Sequence, residues 1–218
     1  MINKFLFQPV KPFIITQNFG EDKCCVDKAT FSKYIYKETA QSCPVGFKSV
    51  YSMMKGHNGL DLVAKRWQPC YAMQDGEVIE VSTEEARGLG VSILTNDKYY
   101  CEETKTTTQF VYKCWHFIAN NVHVGDKVEV GSLLGYCDST GYSTGDHLHI
   151  ELKPVTVSFK KGNRQITNIL QNNGFFGAVD CMLYMENTFA LDFAGFVKKF
   201  RELSARITDW MGDKLRGQ

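Results

Sequence analysis

Short stretches of alternating or β-branched hydrophobic residues recur along most of this chain, separated by Gly and by Asn-Asp. Alternation with a period of two predicts strands that bury one face of a sheet, and the intervening residues are typical of turns. The predicted strands lie at 12–16, 77–82, 91–95, 108–113, 127–129 and 147–158. We therefore expect a mainly β fold built on an antiparallel sheet.

The hydrophobic period changes after Phe193. Large hydrophobic residues then follow at steps of three and four, with most charged residues off this stripe, which is typical of an amphipathic α-helix. The stripe comprises Phe196, Phe200, Leu203, Ile207 and Trp210. We expect a C-terminal helix of about five turns that packs on the sheet or on a second copy of the chain. A membrane-surface role is disfavoured, because Asp209 and Asp213 mix with Lys and Arg on the polar face.

The change of pattern predicts two parts, a β domain at 1–187 and a helical appendage at 188–218. Within the first part, residues 21–55 mix aromatic residues, Lys and Cys without a clear period, so we interpret them as an insertion. The stretch 101–109 is polar and rich in Thr, which suits a hairpin tip or a loop between two strands.

Composition and charge exclude several classes of protein. A chain of 218 residues that is 44% hydrophobic can bury a sizeable core. Its formal net charge is +1 and no basic run, such as Lys160-Lys161, exceeds two residues, whereas a nucleic-acid surface needs clustered Lys and Arg. No segment reaches the roughly 20 apolar residues of a membrane span. Pro9 and Pro12 interrupt the N-terminal stretch before a signal-peptide core forms, so we expect no export signal.

Four of the five histidines fall in three short stretches, which is too concentrated for ordinary core residues. The stretches are GHNGLD at 56–61, CWHF at 114–117 and TGDHLHIEL at 144–152. His57 and Asp61 bracket an Asn58-Gly59 turn, which brings the two side chains toward one point. His147 and His149 alternate along a predicted strand, so both imidazoles emerge from one face.

These residue types suit a catalytic metal site. His57, Asp61 and His149 would hold a tetrahedral zinc ion and leave the fourth position for water. Such an open position distinguishes a catalytic zinc site from a structural one. His116 and His147 are then candidate proton carriers beside that water.

Two further polar residues are harder to place. Glu151 shares the parity of the two histidines on its predicted strand, so it either orients a metal ligand from behind or is a solvated strand residue, which we slightly favour. His123 lies in a turn without an evident partner, and we leave it out of the site.

The residues that alternate with His147, His149 and Glu151 on the predicted strand point to the other face and should be core. They are Leu148, Ile150 and Leu152.

The order of these motifs resembles that of the M23 family of zinc metallopeptidases, the lysostaphin and LytM type of cell-wall endopeptidase. His-x-x-x-Asp comes first, then a lone His, then GYSTGDHLHIE, and the likeness runs from about Pro9 to Leu152. The resemblance implies a LytM-like peptidase domain that binds zinc through His57, Asp61 and His149. It also implies that the two remaining histidines assist at the water and at the tetrahedral intermediate, and that bacterial peptidoglycan is the substrate.

The eight cysteines do not predict a zinc ribbon, because none of them forms a Cys-x-x-Cys pair. Without an export signal, reduced thiols are expected, while a disulfide from Cys24 or Cys25 to Cys43 stays open if the protein works outside the cell. Cys114 stands where the family usually carries Tyr. Strand alternation places it on the face of His116, where its thiol either approaches the metal or is simply buried.

A cell-wall enzyme without an export signal needs another route to its substrate, such as cell lysis, a holin or a virus particle. We therefore expect a bacteriophage enzyme that is carried on the virion or released from the host cytoplasm. The alternative is a virion structural or wall-binding module with an inactive or accessory zinc site, which would self-associate or dock through the C-terminal helix. Because all five site positions are occupied, the sequence favours the enzyme, and it leaves the cleaved bond open.

Overall fold

The computed structural model describes residues 4–22, 24–27, 47–49, 53–198, 201 and 204. These residues form a mainly β structure with an α-helix near the C-terminal end, as the hydrophobic pattern predicts. The strands are β1 (Leu6–Gln8), β2 (Ile15–Gln17), β3 (Cys24–Asp27), β4 (Phe47–Ser49), β5 (Leu60–Val63), β6 (Pro69–Tyr71), β7 (Gly76–Glu84), β8 (Gly88–Thr95), β9 (Tyr99–Cys101), β10 (Thr106–Asn120), β11 (Lys127–Val128), β12 (Leu133–Cys137), β13 (His147–Lys160), β14 (Asn163–Asn168) and β15 (Met185–Phe189). A 3-10 turn at Cys181–Tyr184 precedes β15, and helix α1 covers 190–198 and includes residues 201 and 204.

Eleven of the described strands form one sheet. Its main path runs β11-β7-β8-β10-β13-β5-β2, and every neighbouring pair on this path is antiparallel. Strands β10 and β13 contain 15 and 14 residues and lie side by side. They join β8 on one side to β5 on the other. The expected antiparallel sheet is therefore confirmed.

Alternation along β13 separates a core face from a polar face. Leu148, Ile150 and Leu152 are fully buried in the main hydrophobic core, as predicted. Burying each such side chain stabilises the fold by about 1.5–3 kcal/mol. Because a shift of one residue would expose this whole set, the core also fixes the register of β13.

Strand β10 interrupts its alternation at His116. The register of its pairing with β8 shifts after Cys114. His116 has a φ of 67°, which is uncommon for a residue other than glycine. Trp115 lies opposite His149, while Cys114 lies opposite Ile150 and is fully buried in the core. The expectation that Cys114 shares the face of His116 is wrong, because the extra residue of a β-bulge reverses the parity of the strand.

The two ends of the described chain meet on the core. Strand β1 pairs with β15 in parallel, and Phe5 beside β1 stacks on Tyr99 with ring centroids 3.8 Å apart. Helix α1 continues directly from β15, and its Phe193 stacks on Phe7 of β1 at 4.2 Å. The start of the predicted helix therefore packs against the β domain.

Some predictions lie outside the described residues. These are most of the insertion at 21–55, in which β3 and β4 nevertheless pair, and the disulfide to Cys43. The helical stripe from Phe200 onward lies outside them too. The division at residue 187 stays a prediction.

The polar stretch at 101–109 connects β9 to β10, and the two strands pair as an antiparallel hairpin. Its last residues, from Thr106 onward, belong to β10 itself, so the hairpin turn is shorter than the polar stretch. None of the helices in the described ranges is long and apolar enough to cross a membrane.

Replacing Leu6 with Ala should lower the free energy of unfolding by about 2–5 kcal/mol, because Leu6 is fully buried where β1 meets β15. Phe159→Ala is the control, since Phe159 is exposed and its loss should change stability by less than about 0.5 kcal/mol. Denaturant unfolding of both variants measures the difference. A cost below about 1 kcal/mol for Leu6→Ala would show that the terminal strands are not part of the core.

Candidate metal centre

Three side chains converge where β5 meets β13. His57 comes just before β5, and Asp61 within β5 pairs directly opposite His149 of β13. Asp61 Oδ1 is 2.9 Å from His149 Nδ1 and 3.2 Å from His57 Nε2, and the two histidine nitrogens are 2.9 Å apart. All three residues are buried, and their ligand atoms lie within 4.8 Å of one another. The structure thus brings together the three residues that the sequence predicts as metal ligands.

Gly59 makes this convergence possible. A Cβ atom at this position would lie 2.2 Å from the carbonyl oxygen of Ile150 and 2.8 Å from the ring of His149. Both separations are shorter than those real Cβ atoms show, so only glycine lets the bend before β5 pass this close to β13. The Asn58-Gly59 turn expected from the sequence is therefore required by the space that the neighbouring strand leaves.

The ring orientation of His57 and the charge of Asp61 suit metal binding. His57 Nδ1 lies 3.2 Å from the carbonyl oxygen of Asn18 and donates to it, which leaves Nε2 as the lone-pair atom. Burial lowers the pKa of His57, so the neutral imidazole that binds metals dominates at pH 7. Burial disfavours the charge of Asp61, but contacts with His149 and His57 hold its pKa well below its usual range. Two nitrogens and one carboxylate oxygen suit zinc, whereas calcium and magnesium prefer oxygen ligands.

His149 lies between two carboxylates. Its Nδ1 faces Asp61, and its Nε2 lies 3.5 Å from Glu151 Oε1. Burial lowers the pKa of His149, but the contacts with Asp61 and Glu151 outweigh burial and raise the pKa to about 9. In the metal-free protein this imidazole is therefore protonated at pH 7, and a metal has to displace a proton to bind there.

His116 and His147 lie beside the three candidate ligands, with ring centroids 4.4 Å apart. His116 Nδ1 donates to the carbonyl oxygen of Thr140 at 2.6 Å, and His147 Nδ1 donates to that of Gly145 at 2.8 Å. The Nε2 atom of each ring is therefore left for other partners. His147 Nε2 lies 3.6 Å from Asp61 Oδ1. Burial and the neighbouring histidines lower the pKa of His116 to about 4, so its imidazole is neutral at pH 7.

These residues line one side of a cavity of about 660 Å³. Its other walls include Met54, Arg87, Tyr142 and Phe176, none of which is predicted from the sequence as a site residue. Tyr142 lies inside the GYSTG motif, which is a signal that could have indicated it. Phe176 comes from the connection between β14 and the 3-10 turn, where no periodic pattern points to the cavity.

Glu151 and His123, whose roles the sequence leaves open, lie in opposite environments. Glu151 is fully buried and forms ion pairs with Arg87 and Lys153, so the preference for a solvated residue is wrong. Strand parity indicates the face of the sheet but not what covers that face. His123 is exposed beside Asp126 and does not belong to the cluster.

Comparison with known proteins agrees with these motifs. Residues 55–162 match Peptidase family M23. The chain is 32% identical over 112 residues to the glycyl-glycine endopeptidase ALE-1 of Staphylococcus capitis, a match that covers 50% of this chain and 27% of that protein. It is 31% identical over 98 residues to lysostaphin of Staphylococcus simulans, which covers 44% of this chain and 17% of that protein. The chain therefore spans only a minor part of each of these curated relatives.

One solved structure shares the fold, and a second is reported for its sequence identity. A zinc-containing peptidase from Vibrio cholerae superposes with a TM-score of 0.51 at 21% sequence identity, covering 83% of this chain and 40% of that chain. The catalytic domain of the antimicrobial peptidase lysostaphin from Staphylococcus simulans has 25% identity and a TM-score of 0.44, covering 59% of this chain and 77% of that chain. The likeness to the Vibrio cholerae peptidase confirms the expected fold.

Replacing Gly59 with Ala should weaken zinc binding by roughly tenfold or more, because the new methyl group displaces the ring of His149. Competition with a chromogenic chelator measures the affinity. Gly195→Ala is the control, since nothing lies within 4 Å of a Cβ atom at that position. Equal affinities for the two variants and the parent protein would contradict the close packing at Gly59.

The apparent affinity for zinc should rise with pH up to about 9 and then level off, because zinc competes with the proton on His149. For one displaced proton the slope is on the order of tenfold per pH unit. Isothermal titration calorimetry in buffers of different ionisation enthalpy measures the affinity and the protons released. Zinc binding that releases no proton at neutral pH would show that His149 is already neutral in the metal-free protein.

Proposed function

We propose that this protein is a zinc endopeptidase that hydrolyses peptide bonds in bacterial peptidoglycan, because residues 55–162 match Peptidase family M23. The observation that carries the proposal is the convergence of two histidines and one aspartate, with two further histidines beside them. One curated relative is a glycyl-glycine endopeptidase, which supports a glycine-containing cross-bridge as the first bond to test.

His57, Asp61 and His149 would hold the zinc ion. Bound there, zinc supplies a Lewis acid for the scissile carbonyl and lowers the pKa of a water at the fourth position to about 7. The three residues contribute a fixed geometry, because the pairing of β5 with β13 positions two of them and the bend at Gly59 positions the third.

In this proposal His116 accepts the proton of the attacking water. Its Nδ1–H donates to Thr140 and burial lowers its pKa, so at neutral pH Nε2 carries a lone pair. His147 makes the same kind of hydrogen bond, since its Nδ1–H donates to the carbonyl oxygen of Gly145. Once protonated, either imidazole would donate from Nε2 to the oxyanion of the tetrahedral intermediate and then to the departing amine.

The rival interpretation is a virion structural or wall-binding module whose zinc site is inactive. Such a module has no need of proton carriers beside the metal, whereas here all three ligands and both helper histidines are present and lie together. A bacteriophage origin, with carriage on the virion or release from the host, stays a prediction from the sequence. Self-association or virion docking through the C-terminal helix stays a prediction as well.

His149→Ala should abolish zinc binding and hydrolysis together, because it removes a ligand. His116→Ala should keep zinc but lower kcat by roughly 10²-fold, the usual contribution of a general acid or base. Zinc content by atomic emission and turnover of a cross-bridge peptide separate the two effects. Normal turnover by the zinc-loaded His116→Ala protein would refute the role of His116.

Purified protein of known zinc content should release fragments with new amino termini from peptidoglycan of at least one cross-link type. Mass spectrometry of digests from walls with glycine and with direct cross-links identifies the bond, and the His149→Ala protein is the control. Zinc binding without cleavage of any wall would favour the rival module.

A further inference from the structure

Glu151 is a fully buried carboxylate that the proposed reaction does not use. It lies on β13 two residues beyond His149 and opposite Lys113 of β10. Its Oε1 is 3.2 Å from Arg87 Nε and 3.5 Å from His149 Nε2, and its Oε2 is 3.0 Å from Lys153 Nζ. Neither oxygen meets hydrogen-bond geometry with a described donor, so these contacts are ion pairs.

A charge in this position is costly for stability. A buried carboxylate loses its hydration, and attraction to buried partners often only offsets that loss. An apolar residue of similar volume is frequently as stable or more stable. Burial disfavours the charge of Glu151, but His149, Lys153 and Arg87 outweigh burial and hold its pKa well below its usual range, so the carboxylate is ionised. Its contact with a candidate metal ligand indicates a role beyond the ion pairs.

His149 carries one proton when its ring is neutral, on either Nδ1 or Nε2. Asp61 Oδ1 lies 2.9 Å from Nδ1 and favours the proton there, where it blocks the lone pair that a metal needs. Glu151 Oε1 lies on the opposite side of the ring and favours the proton on Nε2. Two carboxylates therefore compete for a single proton, and only one outcome permits metal binding.

We infer that Glu151 is a positioning residue whose buried carboxylate stabilises the proton of His149 on Nε2 and so favours the tautomer whose Nδ1 lone pair can bind a metal. The inference rests on the proposed metal site. At 3.5 Å the Nε2 to Oε1 contact is longer than a formed hydrogen bond, so the charge of the carboxylate provides the bias.

Arg87 links this carboxylate to the other half of the site. Its side chain pairs with Glu151 and, at 2.8 Å, with Glu84 at the end of β7. Its carbonyl oxygen accepts a hydrogen bond from the backbone N–H of His116 at 3.2 Å. One residue thus anchors both the group behind the metal ligand and the backbone of the proposed base.

Three variants test the inference. Glu151→Met removes the carboxylate with little change in volume, and Glu151→Gln keeps the shape and one acceptor oxygen but removes the charge. Glu80→Gln is the matched control, because Glu80 pairs with Lys113 and Ser92 rather than with a histidine. Zinc affinity from chelator competition should fall roughly 10- to 100-fold for Glu151→Met, about tenfold for Glu151→Gln and less than about twofold for Glu80→Gln.

The tautomer of His149 gives a second readout that does not involve metal. Nitrogen NMR spectra of the zinc-free protein are recorded above a pH of about 9, where this ring is neutral. Asp61 Oδ1 and His57 Nε2 each lie 2.9 Å from Nδ1 and hold part of this proton there, so the test is a comparison: the fraction of rings with the proton on Nε2 should be smaller in Glu151→Met than in the parent protein. If circular dichroism shows that the Met variant is unfolded, Glu151→Gln provides both measurements.

Unchanged zinc affinity and an unchanged tautomer in a folded Glu151 variant would overturn the inference, and so would an equal loss of affinity in Glu80→Gln. A parent protein that binds no zinc would instead count against the proposed function. The tautomer of His149 would still decide the role of Glu151 in that case.

Discussion

The pairing of β5 with β13 is the constraint on which the candidate metal centre depends. It places Asp61 directly opposite His149 and brings their ligand atoms to 2.9 Å. A shift of one residue would turn His149 toward the core and Leu148 toward the cavity. The complete burial of Leu62 and Leu148 on the other face opposes that shift. The interactions that stabilise the sheet therefore also fix the geometry of the site.

The bulge in β10 is a second constraint, since it directs His116 toward the candidate metal ligands, whereas Cys114 and Phe117 of the same strand are buried in the core. The positive φ of His116 costs free energy, so surrounding contacts have to maintain this backbone conformation. Here the carbonyl oxygen of Thr140 holds the ring, and the carbonyl oxygen of Arg87 holds the backbone N–H. β-bulges are frequent beside active sites because they redirect one side chain without disrupting the whole strand.

Sequence periodicity predicted the features that follow a regular repeat. Long alternating stretches indicated β7, β8, β10 and β13, and the spacing of His57, Asp61 and His149 predicted residues that do converge. Strands β1 and β6 contain three residues each, too few for a period to be visible. The bulge at His116 and the burial of Glu151 were missed for a different reason. Both depend on contacts between residues far apart in the sequence, and the local alternation of hydrophobic and polar residues gives no information about such contacts.

X-ray absorption at the zinc edge of the zinc-loaded protein tests the central claim most directly, because it identifies the ligand atoms in a chain with eight cysteines. The structure predicts two imidazole nitrogens and oxygen ligands at about 2.0–2.2 Å in the parent protein, and the loss of this zinc signal in His149→Ala. A sulfur shell at about 2.3 Å, or a spectrum unchanged in His149→Ala, would contradict the assignment of the metal centre to β5 and β13.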